Sequence, residues 1–299
     1  MKALVTGGAG FIGSHLVDAL IERGDRVIVI DNLSTGKREN VNPKAEFHEL
    51  DIRNFNDISS LFKGIDDVFH LAARPRVPFS VEHPYESHVN NALGTLNVLI
   101  ASRDAKIKRF IYTSSSSVYG DQKKLPLKEN MVPKPKSPYA LQKFIGEEYC
   151  RLFYELYGLS SVSLRYFNVY GPRMPFEGAY ALVIGIFLRQ KKANEPLTIY
   201  GDGEQTRDFT HVKDIVSANI LAAQSDKVGR GEVINIGSGK NCSINTIAKL
   251  IGGKTVMRPV RPGDARHTLA DNARAKKLIG WRPEVDIKDG IEELKKIYL

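Results

Sequence analysis

The sequence predicts an α/β fold: a Rossmann-type doubly wound parallel sheet with a smaller interleaved α/β domain. Three observations carry this. Short β-branched runs alternate with longer helical patterns through the first half of the chain, the rhythm of βαβ units. Gly7, Gly10 and Gly13 follow directly on the first such run and open the first helix. Asp31 ends the second run, 18 residues after Gly13.

The elements follow in order. Lys2–Thr6 reads as a strand, and Phe11–Arg23 as a helix stopped by Gly24. Arg26–Ile30 and Glu46–Leu50 are strands closed by Asp31 and Asp51, and Ile58–Phe62 is a short helix. Asp67–His70 is a strand running into Leu71-Ala72-Ala73, followed by a long helix over Pro84–Ser102. Lys108–Thr113 is a strand that leads into four serines, Ser114 to Ser117. Ser137 and Pro138 supply an N-cap and a first-turn proline, so a helix starts there and runs from Tyr139 to Tyr157. Ser161–Arg165 is another strand. After Asn168 the regularity fades; Val212–Ala223 is helical in part and Glu232–Ile236 reads as one more buried strand. The second domain is therefore expected to be interleaved with the first rather than appended to it. Residues 1–167 with about 209–238 form the dinucleotide-binding unit, and about 168–208 with 239–299 form the other. Parallel sheets of this kind bind ligands at the carboxyl ends of their strands.

Composition excludes several classes. At 299 residues the chain is long enough for about two domains. With 42% hydrophobic and 26% charged residues it is not a disordered chain. The longest apolar stretch, around Leu182–Leu188, is interrupted by Gly185 and falls short of the ~20 residues a membrane span needs. Met1 and Lys2 lead straight into the first strand, so no signal peptide is expected. Two cysteines, Cys150 and Cys242, argue against a disulfide scaffold and for a reducing cytoplasm, where they act as packing residues. His211 and His267 have no partners at metal-ligand spacing, so no metal is expected. A net charge of +9 suits nucleic acid, an anionic membrane or a small anionic substrate. The basic residues are dispersed without a block of like charge, which favours the small anion; no nucleic acid and no membrane partner is expected.

The glycine turn predicts a dinucleotide site. Glycines permit the tight turn, let backbone amides approach a pyrophosphate at the positive end of the helix, and let helix and strand pack closely. Asp31 at its spacing accepts hydrogen bonds from ribose hydroxyls and repels a 2′-phosphate, which favours NAD over NADP. Lys37 and Arg38 argue mildly for NADP, because they could pair with that phosphate. Asp51 could reach the adenine amino group, and Ala72 and Ala73 could let the cofactor lie against the sheet.

Tyr139 and Lys143, four apart, share one helix face. An ammonium beside a phenol stabilises the phenolate and lowers its pKa from ~10, and a positive nicotinamide lowers it further. The result is a base that works near neutral pH. A serine hydroxyl at the end of strand Lys108–Thr113 faces the same point.

Gly7–Gly13, Asp31-Asn32, His70–Ala73, Ser114–Gly120, Tyr139–Lys143 and Arg165–Pro172 together resemble the extended short-chain dehydrogenase/reductases, and within them the NAD-dependent UDP-glucose (UDP-galactose) 4-epimerase family. The resemblance runs over nearly the whole chain. It implies that Tyr139 is the acid/base, that Lys143 tunes it and binds the nicotinamide ribose, and that Ser115, four before Tyr119, is the catalytic hydroxyl. It places Phe11 and Ile12 under the pyrophosphate, and Asp31, Asn32, Ser34, Thr35 and Gly36 around the adenosine ribose. Asp51 and Ile52 meet the adenine, Leu71, Ala72 and Ala73 line the cofactor, and Asn90 and Phe167 lie nearby. For a UDP-sugar, Asn168 and Arg207 contact the diphosphate, and Leu182, Val183, Thr198, Ile199 and Tyr200 form a uridine slot. Arg261 and Asp264 close over phosphate and ribose, and Thr268 gates the sugar pocket, a small residue there admitting a 2-acetamido group. The implied reaction oxidises C4 transiently, turns the 4-keto sugar over and reduces it from the other face.

Sibling 4,6-dehydratases and UDP-glucuronate decarboxylases carry carboxylates just after the catalytic hydroxyl. Ser116 and Ser117 stand there in this chain, which favours epimerisation. A UDP-glucuronate 4-epimerase or a dehydratase is the alternative within the family; a non-catalytic dinucleotide sensor is the alternative outside it. Family members often dimerise through two long helices, so a homodimer through Pro84–Ser102 and Tyr139–Tyr157 is expected.

Overall fold

A computed structural model describes residues 1–75, 77–176, 183–260 and 266–299. Its frame is a seven-stranded parallel sheet built from β1 (Lys2–Thr6), β2 (Arg26–Ile30), β3 (Glu46–His48), β4 (Asp67–His70), β5 (Arg109–Ser115), β6 (Ser161–Tyr166) and, late in the chain, β11 (Arg230–Ile236). Their order across the sheet is β11-β6-β5-β4-β1-β2-β3. β1 pairs with β2 from Lys2↔Arg26 to Thr6↔Ile30, and with β4 from Ala3↔Asp67 to Thr6↔His70. The chain winds outward from β1 to β3 and then returns to place β4 on the other side of β1. That reversal opens a crevice beyond the carboxyl ends of β1 and β4. The central strands are buried along their length, which is why they read as continuous apolar runs instead of an alternation.

Helices cover both faces. On one, α1 (Phe11–Glu22), α8 (Val212–Gln224) and α10 (Ala273–Ile279) pack with Leu16, Leu20, Ile215, Ala275 and Trp281 against the sheet. On the other lie α2 (Phe55–Ile58), α5 (Gly94–Asp104) and α6 (Pro138–Tyr157), with Phe62, Leu99, Phe110 and Phe153 in the core. α6 begins as its sequence dictates: Ser137 accepts a hydrogen bond from the Ala140 amide (3.2 Å), Pro138 occupies the first turn, and Gly158 closes the helix at φ 71°.

Away from the sheet, another hydrophobic cluster gathers Tyr170, Ile184, Phe187, Ile199, Ile247, Ile291 and Leu294. It is built from α7 (Val183–Lys192), α9 (Ile244–Ile251) and α11 (Ile287–Tyr298), with β8 (Leu197–Tyr200) paired to β13 (Thr255–Arg258). Two more short pairs complete it, β7 (Val169–Tyr170) with β10 (Thr210–His211) and β9 (Thr206–Asp208) with β12 (Asn241–Ser243).

Several boundaries differ from the sequence reading. The segment expected as one helix over Pro84–Ser102 is α4 (Pro84–His88), a π turn over Val89–Leu93 and α5, and a further helix, α3 (Val77–Glu82), precedes it. β5 runs on to Ser115, so two of the four serines belong to the strand; a 3₁₀ turn, Ser116–Tyr119, takes the others. The predicted helix Ile58–Phe62 is α2 followed by a 3₁₀ turn, Ser59–Phe62. The tail assigned to the second unit divides its packing: α10 and Trp281 bury against the sheet, α9 and α11 into the cluster around Phe187. No described helix is long and apolar enough to cross a membrane.

Candidate active site

A cleft of about 1800 Å³ opens at the strand reversal and gathers most of the residues singled out in the sequence. That is larger than the ~300–1,000 Å³ of an ordinary small-molecule pocket, and suits two long ligands end to end.

Its floor is the glycine turn. Gly7 sits at φ 75°, and a Cβ there would stand 2.8 Å from the Ala72 nitrogen. A Cβ at Gly13 would stand 2.1 Å from the Gly7 carbonyl oxygen, so that glycine lets α1 close onto the turn. No side chain caps α1, and the residues of its first turn, Phe11, Ile12 and Gly13, line the cleft. Their amides have no partner within the helix and sit at its positive end, which makes them an anion site.

Asp31 stands beside this turn. Its carboxylate accepts hydrogen bonds from the amides of Ala9 (3.0 Å) and Leu33 (2.8 Å). Burial raises its pKa, and the two amides oppose that. Asn32, Ser34 and Thr35 also line the cleft, whereas Gly36 packs behind them, where a Cβ would stand 2.9 Å from Asp31 Oδ1. Ile52 lines the cleft but Asp51 is not in its wall. The Asp51 carboxylate takes a two-pronged bond from Arg53 (2.9 and 2.7 Å) and another from Asn32 (2.8 Å). Burial raises its pKa, but these bonds outweigh burial and bring it down to about 2. Arg38, weighed as a phosphate partner, lies over the Phe47 ring at 4.0 Å, and Lys37 pairs with Glu39 at 3.5 Å.

Leu71, Ala72, Ala73 and Asn90 line the next stretch. The Ala72 amide donates to Thr6 Oγ1 (3.3 Å), and Asn90 donates to the Glu86 carbonyl (2.8 Å). Phe167 is fully buried against Tyr119 and lies behind the cleft; its neighbours Tyr166 and Asn168 line it.

At the far end of the cofactor floor, Ser115, Tyr139 and Lys143 meet. Lys143 is 3% exposed and donates to the Thr113 carbonyl at 2.7 Å. Its nitrogen lies 6.0 Å from the centre of the Tyr139 ring. Burial brings Lys143 down to about 7, against the pull of Glu147. Burial also pushes the Tyr139 phenol up to about 12, opposed by a hydrogen bond with Ser115. Among the protein's own groups, burial is thus the larger influence on the phenol. The Tyr139 amide donates to Ser80 Oγ of α3 (3.1 Å), which anchors the start of the helix.

Sequence reasoning missed the groups that hold this corner. Glu147, one turn beyond Lys143, accepts from Ser114 Oγ (2.5 Å) and pairs with buried Arg165 (2.6 and 2.8 Å). Its position at i+4 from Lys143 was the available signal. Asn91 in the π turn accepts from the Arg74 amide (2.7 Å) and donates to Gln142 (2.8 Å), the residue before Lys143.

The substrate residues divide. Asn168 lines the cleft and donates to the Asp208 carbonyl (3.0 Å). Thr268 lines it too, its hydroxyl accepting from the Asp208 amide (3.2 Å). Val183, Thr198, Ile199, Tyr200 and Arg207 are not in the wall; Ile199 is core, Thr198 bonds Gln190, and Arg207 Nη1 donates to the Thr206 carbonyl (3.0 Å). Leu182, Arg261 and Asp264 lie outside the described residues. His267 lines the cleft with its ring on Thr206 (2.9 Å), and His211 is buried beside Glu293 (3.1 Å). Unanticipated cations also line the cleft, among them Arg173, paired to Asp18 at 2.7 Å, and Arg266, paired to Asp202 at 2.6 Å.

The profile of the NAD dependent epimerase/dehydratase family matches residues 3–237. The chain belongs to this family. A putative UDP-glucose 4-epimerase of Methanocaldococcus jannaschii is 43% identical, over 97% of this chain and 96% of its own length. The crystal structure of a Thermotoga maritima UDP-glucose 4-epimerase with UDP-glucose superposes with a TM-score of 0.94 at 41% identity, covering 99% of both chains. A UDP-N-acetylglucosamine 4-epimerase of Methanobrevibacter ruminantium, in complex with UDP-N-acetylmuramic acid, superposes with a TM-score of 0.94 at 42% identity, covering 99% of this chain and 97% of that one. The residues fit the family's cofactor, NAD. Free first-turn amides, side-chain-free glycines and a buried carboxylate whose oxygens each retain a lone pair match the pyrophosphate and the ribose diol.

Proposed function

We propose that the chain is an NAD-dependent UDP-sugar 4-epimerase, an isomerase acting on UDP-glucose and UDP-galactose and also on their N-acetylated counterparts. The observation that carries this is the convergence of Ser115, Tyr139 and Lys143 at one end of the dinucleotide cleft, with hydroxyls at positions 116 and 117. Elimination at C5–C6 would need an acid and a base there, and serine supplies neither at neutral pH.

Bound NAD supplies the hydride acceptor at the sugar C4 and afterwards the donor. The protein's own groups manage the proton. Tyr139 Oη takes the proton of the C4 hydroxyl as the carbinol becomes a ketone, and returns it after the keto sugar has turned over. Ser115 donates to the C4 oxygen while negative charge builds on it. Lys143, held by the Thr113 carbonyl, reaches the nicotinamide ribose and adds positive charge beside the phenolate. Phe11, Ile12 and Gly13 take the pyrophosphate and Asp31 the ribose, while Ile52 meets the adenine.

Asn168, Arg207, Arg261 and Asp264 are proposed for the UDP diphosphate and ribose, and the segments around Leu182–Val183 and Thr198–Tyr200 for uridine. Arginine forks suit phosphate oxygens. Thr268 is proposed as the gate at C2, its small side chain leaving room for an acetamido group. The division into a dinucleotide unit and a nucleotide-sugar unit belongs to the same proposal, supported by the separate clusters around Leu16 and Phe187.

A homodimer and a cytoplasmic location complete the reading. Val81, Tyr85 and Leu141 are 61%, 83% and 47% exposed on α3, α4 and α6, an apolar surface suited to a second copy. Purified protein incubated with UDP-glucose, UDP-galactose, UDP-GlcNAc, UDP-GalNAc and UDP-glucuronate, with products read by NMR, tests the assignment. Inversion at C4 of the neutral sugars is expected. Inversion of the glucuronate alone, or a 4-keto-6-deoxy product, overturns it.

A further inference from the structure

Ser115 is the N-cap of the 3₁₀ turn Ser116–Tyr119, and the way it is capped constrains its chemistry. A serine hydroxyl has one proton to give and two lone pairs to receive with. The Ser117 amide donates into Ser115 Oγ at 3.2 Å, and that direction is fixed because an amide can only donate. The Ser117 hydroxyl reaches the same oxygen at 2.9 Å. With the amide in one lone pair and this hydroxyl in the other, Ser115 has only its own proton left to use. Ser115 and Tyr139 both line the cleft, so that proton is what Ser115 has to offer a group bound there.

We propose that Ser117 is a positioning residue that makes Ser115 an obligate hydrogen-bond donor toward Tyr139 Oη and the sugar C4 oxygen. The distinction matters because the two directions favour opposite states. A Ser115 free to accept would stabilise the neutral phenol and a protonated carbinol. One that can only donate stabilises the phenolate and the oxygen on which charge develops. Ser117 touches neither reacting atom; it acts through Ser115. The inference rests on the reading of Tyr139 as the acid/base.

The test is a set of variants assayed on whichever UDP-sugar the wild-type enzyme inverts. Ser117→Thr keeps the hydroxyl and Ser117→Val removes it at nearly the same shape. Ser117 is only partly buried on the cleft wall, so the added methyl has room. Ser117→Val is expected to lower kcat about two- to tenfold, the range one neutral hydrogen bond controls, with KM unchanged. Ser117→Thr is expected to restore kcat to within about twofold by the same measure. In a Ser115→Ala background, Ser117→Val is expected to cost nothing further, since the group it acts through is gone. Three results overturn the proposal: wild-type kcat in Ser117→Val, failure of the threonine to rescue, or losses that multiply in the double variant. Failure of the underlying reading looks different. An active Tyr139→Phe, or a wild-type enzyme that inverts no UDP-sugar, removes both at once.

Discussion

At the scale of single residues, the site is a balance between burial and charge. Tyr139→Phe removes the hydroxyl proposed to carry the C4 proton while leaving the ring in place. Steady-state assays are expected to show a loss of about 10²–10⁴-fold in kcat, the range of a general acid/base. Lys143 makes a sharper case, because the charge its proposed role requires opposes stability. Its folded pKa of about 7 lies below its ordinary 10.5. Between those values the unfolded chain binds more protons than the folded one, so this group makes stability rise with pH across that window. Lys143→Met keeps the stem and loses the charge. At pH 7 its melting temperature is expected to equal or exceed that of wild type while activity collapses, and the advantage should fade toward pH 10. A variant that melts well below wild type at pH 7 would contradict the burial argument. Thr268→Tyr is expected to abolish epimerisation of UDP-GlcNAc while sparing UDP-glucose; equal loss on both substrates would remove the gate from the account.

At the scale of elements, the π turn Val89–Leu93 joins the cleft segment ending at Arg74 to α6. It presents Asn91, 1% exposed, whose amide oxygen accepts from the Arg74 backbone and whose nitrogen donates to the Arg74 carbonyl (3.2 Å) and to Gln142. A regular helix would turn this residue away from one of those partners; an extra residue in the turn re-aims it. Asn91→Ala leaves several buried polar groups without partners. Urea unfolding should show a loss of about 2–4 kcal/mol, given ~1–3 kcal/mol for each unsatisfied group. Bound NAD should dissociate faster from this variant than from wild type, because the Leu71–Arg74 segment loses its tie to α6. The start of α6, by contrast, was legible in Ser137, Pro138 and the periodicity that follows, since capping is a local matter. The end of β5 was not. Serines favour turns, yet Ser114 and Ser115 stay in the strand because β6 pairs with them at Arg165 and Tyr166.

At the scale of the molecule, the cores on the sheet and the separate cluster around Phe187 are tied together by the tail of the chain. Trp281 is 1% exposed in the core against the sheet and donates to the Asp214 carbonyl (2.8 Å), so the tail that reads as part of the second unit also braces the first. Trp281→Ala is expected to lower the melting temperature sharply, at a cost of about 3–5 kcal/mol for a buried aromatic. Sedimentation velocity tests the proposed dimer; a monomer at assay concentration would exclude it.

Much of this was readable from the chain itself. The strand–helix rhythm, the glycine turn with its distant aspartate, and the Tyr139–Lys143 stripe are local or periodic, and periodicity survives in a sequence. Three things arose only in the folded chain. Asp51, already beside Arg53 in sequence, gained Asn32 as a partner from 19 residues away. The burial that pushes the Tyr139 phenol up is set by what packs around it. Glu147, Arg165 and Asn91 joined the site through partners far away in sequence. A residue's type and spacing state what it can do, but burial and the choice of hydrogen-bond partner depend on neighbours that only tertiary packing supplies.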